Sequence, residues 1–312
     1  QYILKTEKHH IKTSIDYKKE LNEQQYDAVT AGDGPLLVLA GAGSGKTRTL
    51  TYRVSYLIER GFNPSQILIV TFTNRASREM LQRVEMLLSG KIKGIWGGTF
   101  HHVGNLLLRK YAKALGYESN FTILDNEDAK DLLSDCIVES GIDTKAIRFP
   151  KAGILENIGS LSVNCEKEIA DTISEQYPYL EELTPEIEKA LKTYKEKKQK
   201  ANLMDFDDLL LNWHRLLKEQ PKIKERLTTQ FQHILVDEFQ DTNKLQSDII
   251  DEMASHYKNL MVVGDDAQSI YSFRGAEFRN ILAFKERYPD VQIFKLETNY
   301  RSTPQILNLA NE

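Results

Sequence analysis

Two cysteines among 312 residues, Cys136 and Cys165, are too few and too far apart for a disulfide scaffold or a metal clip. They read as reduced thiols. A long apolar stretch is missing too: no run approaches the ~18 residues of a membrane span, and the N-terminal segment has no apolar core of a secretion signal. The expectation is a cytosolic protein. Nor is there an excess of positive charge. A net charge of −4 excludes a wholly basic coat for nucleic acid, yet allows a local positive cleft, because phosphate binding depends on where Lys and Arg sit. Internal repeats and low-complexity tracts are absent, and a hydrophobic content of 41% is ordinary for a globular chain. The chain opens on Gln1 instead of Met and closes inside 305–312, which reads as a helix, so both ends are expected to be cuts within a longer protein.

Apolar runs of strand length recur at 36–40, 67–72, 95–100, 234–236, 260–263 and 291–296, as expected of strands buried on both faces. After them come, respectively, a glycine-rich loop, Thr73-Asn74, His101, Asp237-Glu238, Gly264-Asp265 and Asn299-Tyr300-Arg301. Open parallel sheets bind ligands at these carboxyl ends. The expected fold class is therefore α/β, a parallel sheet with helices on both faces.

Between about 105 and 201 only helical patterning remains. Asp125 predicts a capped helix with Ala129, Leu132, Leu133, Cys136 and Ile137 on one face and Gly141 as its stop. Thr184-Pro185 predicts a second cap and first turn ahead of Ile187, Leu191 and Tyr194. An all-α insertion at 105–201 should thus divide the α/β domain into 1–104 and 202–312, with the sheet resuming near Met204. Lys192, Lys195, Lys197, Lys198 and Lys200 form a basic end of that insertion. Such a run is usually a solvated face, and a grip on duplex DNA is the less favoured alternative.

The segment 40–47, Ala-Gly-Ala-Gly-Ser-Gly-Lys-Thr, follows a strand and opens a helix near Thr47, the context a phosphate-binding loop requires. Backbone N–H groups of Gly41, Ala42, Gly43, Ser44 and Gly45 can approach phosphates closely, and the helix N-terminus favours anions. Lys46 is assigned to the outer phosphates and Thr47 offers a hydroxyl to Mg²⁺. Ala40 stands where such loops usually begin with glycine, which is compatible with an extended φ at the strand end. Alone, the acidic pair Asp237-Glu238 after a strand is as often a helix cap as a site. Beside a phosphate loop it acquires distinct roles: Asp237 holds Mg²⁺ and Glu238 orients and deprotonates the attacking water. ATP with Mg²⁺ is the expected ligand.

Over nearly its whole length the chain resembles the first half of superfamily 1 DNA helicases of the UvrD/Rep/PcrA type. Leu21-Asn22-Glu23-Gln24-Gln25 with Ala28-Val29 is similar to their adenine-reading Q motif, and 41–47 to their phosphate loop. Thr71-Phe72-Thr73-Asn74 with Ala76 and Glu79-Met80, and then Thr99-Phe100-His101, resemble DNA-contact motifs. Asp205-Phe206-Asp207-Asp208-Leu209 resembles the stretch after the helical insertion, and Val-Asp-Glu-Phe-Gln-Asp at 236–241, 264–275 and 299–302 resemble the later motifs. The resemblance implies a RecA-like ATP-binding domain and 3′ to 5′ movement on single-stranded DNA in repair or replication. It implies that Gln25 reads the adenine edge, that Arg48 and Tyr300 sandwich the ring, that Gln268 senses the γ-phosphate, and that Arg301 neutralises charge during transfer. Glu238, Lys46, Gln268 and Arg301 form the implied catalytic set. Phe72, Tyr271 and Phe273 would stack bases, with Asn74, His101 and Arg274 on polar or phosphate contacts. Isolated from the family, Phe72 would be read as a core aromatic and Tyr300-Arg301 as a capped turn.

Phe273 stands where the family commonly has Trp, Phe239 where it has Tyr, Arg75 where it has Lys and His102 where it has Ser; no catalytic group is removed. The second RecA-like lobe is absent from this chain, so it is expected to bind Mg-ATP with little turnover by itself. Single-stranded DNA, single/double-strand junctions and that lobe are the implied partners, with no membrane. A nucleotide-dependent single-strand-binding module and the helicase subunit of a recombination nuclease are the competing readings. A small-molecule kinase would leave 71–74 and 268–275 unexplained.

Overall fold

The computed structural model describes residues 15–90, 92–142, 148–265 and 279–302. Among them eight strands run in chain order: β1 (Leu36–Ala40), β2 (Ile67–Thr71), β3 (Trp96–Thr99), β4 (Thr122–Ile123), β5 (Leu203–Met204), β6 (His233–Val236), β7 (Leu260–Gly264) and β8 (Gln292–Leu296). Six of these make one sheet in the order β3-β2-β6-β7-β1-β8. Every pairing in it is parallel. All six apolar runs of the sequence are in this sheet.

Alternate residues of each central strand feed two separate cores, which is why the runs carry no polar alternation. Leu37, Leu68, Val70, Ile234, Val236 and Val262 face one core, closed by the helices Phe100–Tyr111, Phe206–Glu219, Lys244–Ala254 and Arg279–Arg287. Leu36, Val38, Ile67, Ile69, Leu235 and Val263 face the other, closed by Glu23–Thr30, Lys46–Glu59 and Asn74–Leu87. Trp213 is fully buried in the first core, so Trp213→Ala would cost roughly 3–5 kcal/mol. Helices therefore cover both faces, and the carboxyl ends of the strands are left along one edge for chemistry.

The helical insertion has its own core, including Leu133, Cys136, Leu155, Ile158, Ile173 and Ile187. Asp125 caps the helix Asn126–Glu139 by accepting from Glu127 N and Asp128 N, and Gly141 takes φ +67° beyond its end. Three expectations need correction. The region is not purely helical, since β4 pairs with β5 in a separate two-stranded parallel ladder; the main sheet accordingly resumes at β6, not near Met204. Thr184 is not a cap: the turn Pro178–Leu183 runs directly into the helix Thr184–Lys200, which leaves Thr184 with helical φ −52° and Leu183 at the cap position. Lys198 is not solvated. Its side chain is 5% exposed, touches Asp205 and lies 2.6 Å from Asp208 Oδ2, and so ties the insertion to the helix Phe206–Glu219. Lys197 is held by Glu139 at 2.7 Å.

Candidate nucleotide and nucleic-acid site

The phosphate loop leaves β1 at Ala40, which is still paired with Leu296 of β8, so the missing first glycine is met by an extended residue. Gly43 and Gly45 do need glycine: their φ values are +77° and +91°. Ser44 Oγ donates to Gly41 O at 2.7 Å and closes the turn. The helix then starts at Lys46, with Thr47 in its first turn and the N–H groups of that turn open to an anion.

Glu238 follows Asp237 at the end of β6, in the left-handed region at φ +50°, which few non-glycine residues occupy. That backbone aims its carboxylate across the neighbouring strands, where Lys46 Nζ meets Oε2 at 2.8 Å. Asp237 is buried, and Lys46 is a cation close enough to favour its charged form. Burial, then the Glu238 charge, pushes its carboxyl up to about 7. Asp241 is pushed up to about 6 by the same two causes, and its Oδ1 is buried without a hydrogen-bond partner among the described residues. One buried carboxyl, one half-buried carboxyl and the Glu238 carboxylate gathered near a single lysine make a donor set short of positive charge, which suits a hard divalent cation with oxygen ligands.

Arg301 and its neighbours reach the loop from the other side. Tyr300 N donates to Gly43 O at 2.8 Å, and Asn299 Nδ2 donates to Ala42 O at 2.8 Å. A Cβ on Gly43 would fall 2.5 Å from Arg301 Cβ. Three remote segments carrying Lys46, Asp237-Glu238 and Arg301 thus converge on one loop. Gln268, Tyr271, Phe273 and Arg274 lie outside the described residues.

Gln25, Arg48 and Tyr300 lie around the 20–25 segment beside the phosphate loop. Gln25, 2% exposed, closes a capping box with Asn22 and donates from Nε2 to Ser44 O at 3.1 Å, so it braces the phosphate loop. Arg48 Nη2 donates to Glu20 O at 2.7 Å and lies 3.1 Å from Glu20 Oε2. Tyr300, 60% exposed, accepts from Asn22 Nδ2 at 2.7 Å through its hydroxyl. Arg48 and Tyr300 therefore flank the same 20–25 segment.

Phe72 follows β2 and is half-buried, Asn74 is exposed at the start of a helix that Thr73 caps, and His101 follows β3. The three lie at the carboxyl ends of adjacent strands, next to the acidic pair after β6. Two further residues at this edge had no role assigned from their motifs. Gln240 donates from Nε2 to Glu238 Oε2 at 2.8 Å and accepts from Asp265 N at 3.0 Å, so one amide ties the ends of β6 and β7. Its signal was its place two residues after Glu238. Phe206 is 47% exposed and stands edge-on to His101 at 5.8 Å between ring centroids. Flanking aspartates hid it as a capped helix start.

A phosphate loop after β1, an acidic pair after β6 and a parallel sheet clad on both faces define a RecA-like P-loop nucleotide-binding domain. Within that class the chain belongs to the UvrD/REP helicase family, whose N-terminal domain matches residues 21–289. It is 42% identical over 295 residues to the ATP-dependent DNA helicase PcrA of Staphylococcus epidermidis, across 94% of this chain and 40% of that protein. It is likewise 42% identical over 293 residues to the ATP-dependent DNA helicase PcrA of Staphylococcus aureus (strain COL), across 94% of this chain and 39% of that protein. The chain spans about 40% of the length of the curated relatives it matches. Among the described residues no helix is long and apolar enough to cross a membrane.

Proposed function

We propose that this chain is the nucleotide-binding, DNA-contacting part of a cytoplasmic ATP-dependent DNA helicase that moves along single-stranded DNA and opens duplex at junctions. The Lys46–Glu238 contact at 2.8 Å, with Arg301 packed on the same loop, carries the reading. Backbone N–H groups of 41–47 and Lys46 hold the β- and γ-phosphates of ATP. Thr47 and Asp237 would hold Mg²⁺, whose chemistry is to neutralise and polarise the phosphate oxygens. Glu238 accepts a proton from the attacking water as its oxygen bonds the γ-phosphorus and the bond to the bridging oxygen of ADP breaks. Arg301 faces the charge that develops in transfer. A second RecA-like lobe would close the cleft beyond Tyr300 and Arg301, which is why this part alone should bind Mg-ATP and turn it over slowly.

Phe72, Asn74, His101 and Phe206 are read as a face for single-stranded DNA. Stacking on flat rings is worth roughly 1–3 kcal/mol per base and is indifferent to sequence, as a stepping motor requires. The test is calorimetric titration of this chain with Mg-ATP, followed by ATPase assay with and without the remainder of the protein. Binding by the chain and DNA-stimulated turnover only with the remainder support the reading. Robust unwinding by this chain alone, or no turnover with the remainder, would contradict it.

A further inference from the structure

Asn164 sits near the end of the helix Ala152–Cys165 in the insertion, 8% exposed, with both ends of its amide used. Its Nδ2 donates to Asp207 Oδ1 at 2.8 Å and to Ser160 O at 2.8 Å, while its Oδ1 accepts from Asn243 Nδ2 at 2.8 Å. Asn243 in turn accepts at Oδ1 from Gln246 N at 2.8 Å, as the cap of the helix Lys244–Ala254. That cap fixes the direction of the whole chain. Oδ1 of Asn243 must face a backbone N–H, so its Nδ2 must face Asn164, whose own Nδ2 must then face the Asp207 carboxylate.

The two ends of this relay lie in the machinery already described. Asp207 directly follows Phe206, whose ring stands against His101. Asn243 follows the turn Phe239–Asp241, which begins immediately after Glu238. Beside the relay, Glu166 of the insertion holds Lys244 Nζ at 3.0 Å and His214 Nδ1 at 3.2 Å, so the insertion grips the same helix start twice. A simple staple could be apolar. A buried, directional amide relay costs stability if any partner is lost.

We propose that Asn164 is a positioning residue that couples DNA resting on Phe206 to the setting of the Glu238 segment, a role that rests on the helicase reading above. It touches neither nucleotide nor DNA. When the helix start at Phe206 moves with a bound strand, Asp207 draws on Asn164, and Asn164 draws on the cap that follows the acidic motif.

The test is Asn164→Asp in the full-length protein, which keeps size and the acceptor for Asn243 but sets a carboxylate oxygen against Asp207. ATP hydrolysis without DNA should stay within about twofold, and the KM for ATP should hold, while stimulation by a single-stranded oligonucleotide falls about tenfold. Asn164→Asp with Asp207→Asn exchanges donor and acceptor, and should restore stimulation to within about threefold. A single variant stimulated like the parent would overturn the proposal alone. So would a double variant that regains the parent's melting temperature without its stimulation. A parent protein that DNA does not stimulate at all would overturn the helicase reading beneath it.

Discussion

Lys46 Nζ lies 2.8 Å from Glu238 Oε2, an ion pair between residues 192 positions apart. Outer phosphates of ATP compete for the same ammonium, so nucleotide binding would release the Glu238 carboxylate to accept a water proton. In the full-length protein, Glu238→Gln should leave the ATP dissociation constant within about threefold and lower kcat by about 10²–10⁴. Calorimetry and phosphate release measure the two quantities. Turnover within tenfold of the parent would mean that another group activates the water.

Gly43 is pinned between the loop and the Asn299–Arg301 segment. A Cβ there would meet Arg301 Cβ at 2.5 Å and Asn299 Oδ1 at 2.9 Å, in a backbone with φ +77°. Gly43→Ala should displace Arg301 and weaken both ATP affinity and kcat by about tenfold or more, and the strained backbone should lower the melting temperature as well. Wild-type kinetics from this variant would show that Arg301 does not need its seat on the loop.

His233 on β6 is buried, with the Phe62 ring edge-on at 4.3 Å between centroids. Burial, then the Arg53 charge, lowers its pKa to about 4. The unfolded chain takes up a proton near the ordinary value of 6.5 and the folded one does not, so stability is full above pH 6.5 and is lost as pH falls toward 4. The loss should approach about 3 kcal/mol at pH 4. Melting temperatures across this range should fall less steeply in His233→Phe; identical slopes would exclude His233 as the source.

Lys198 bridges the half-buried carboxyl of Asp205 and the buried carboxyl of Asp208. Lys198→Met leaves those acids uncompensated and should cost roughly 3–5 kcal/mol. Burial, then the Asp205 charge, already pushes Asp208 up to about 6, so its folded form binds a proton more tightly than the unfolded chain does. Stability from that proton is present at low pH and lost as pH rises through 6, and losing the lysine widens the window upward. The deficit in melting temperature should therefore be larger at pH 8 than at pH 5. An equal deficit at both would place the damage in packing.

The centre of the sheet was legible because β1, β2, β6 and β7 alternate between two apolar cores and so show unbroken apolar runs. The phosphate loop and the acidic pair were legible because their spacing is set by local backbone geometry. What escaped depends on long-range partners. The lysine run at 192–200 looks solvated until Asp205 and Asp208 are folded against Lys198. The ladder of β4 and β5 is two residues long on each side, too short for any periodicity. Gln240, Phe206 and Asn164 acquire meaning only when Asp265, His101 and Asn243 arrive from elsewhere in the chain.

Phosphate release by the full-length protein in Mg-ATP, followed as a single-stranded oligonucleotide is titrated in, tests most directly whether one sheet edge joins a nucleotide site to a DNA face. A saturable rise of about tenfold or more, abolished in Glu238→Gln, is the expected result. A rate that is the same with and without the oligonucleotide would contradict it.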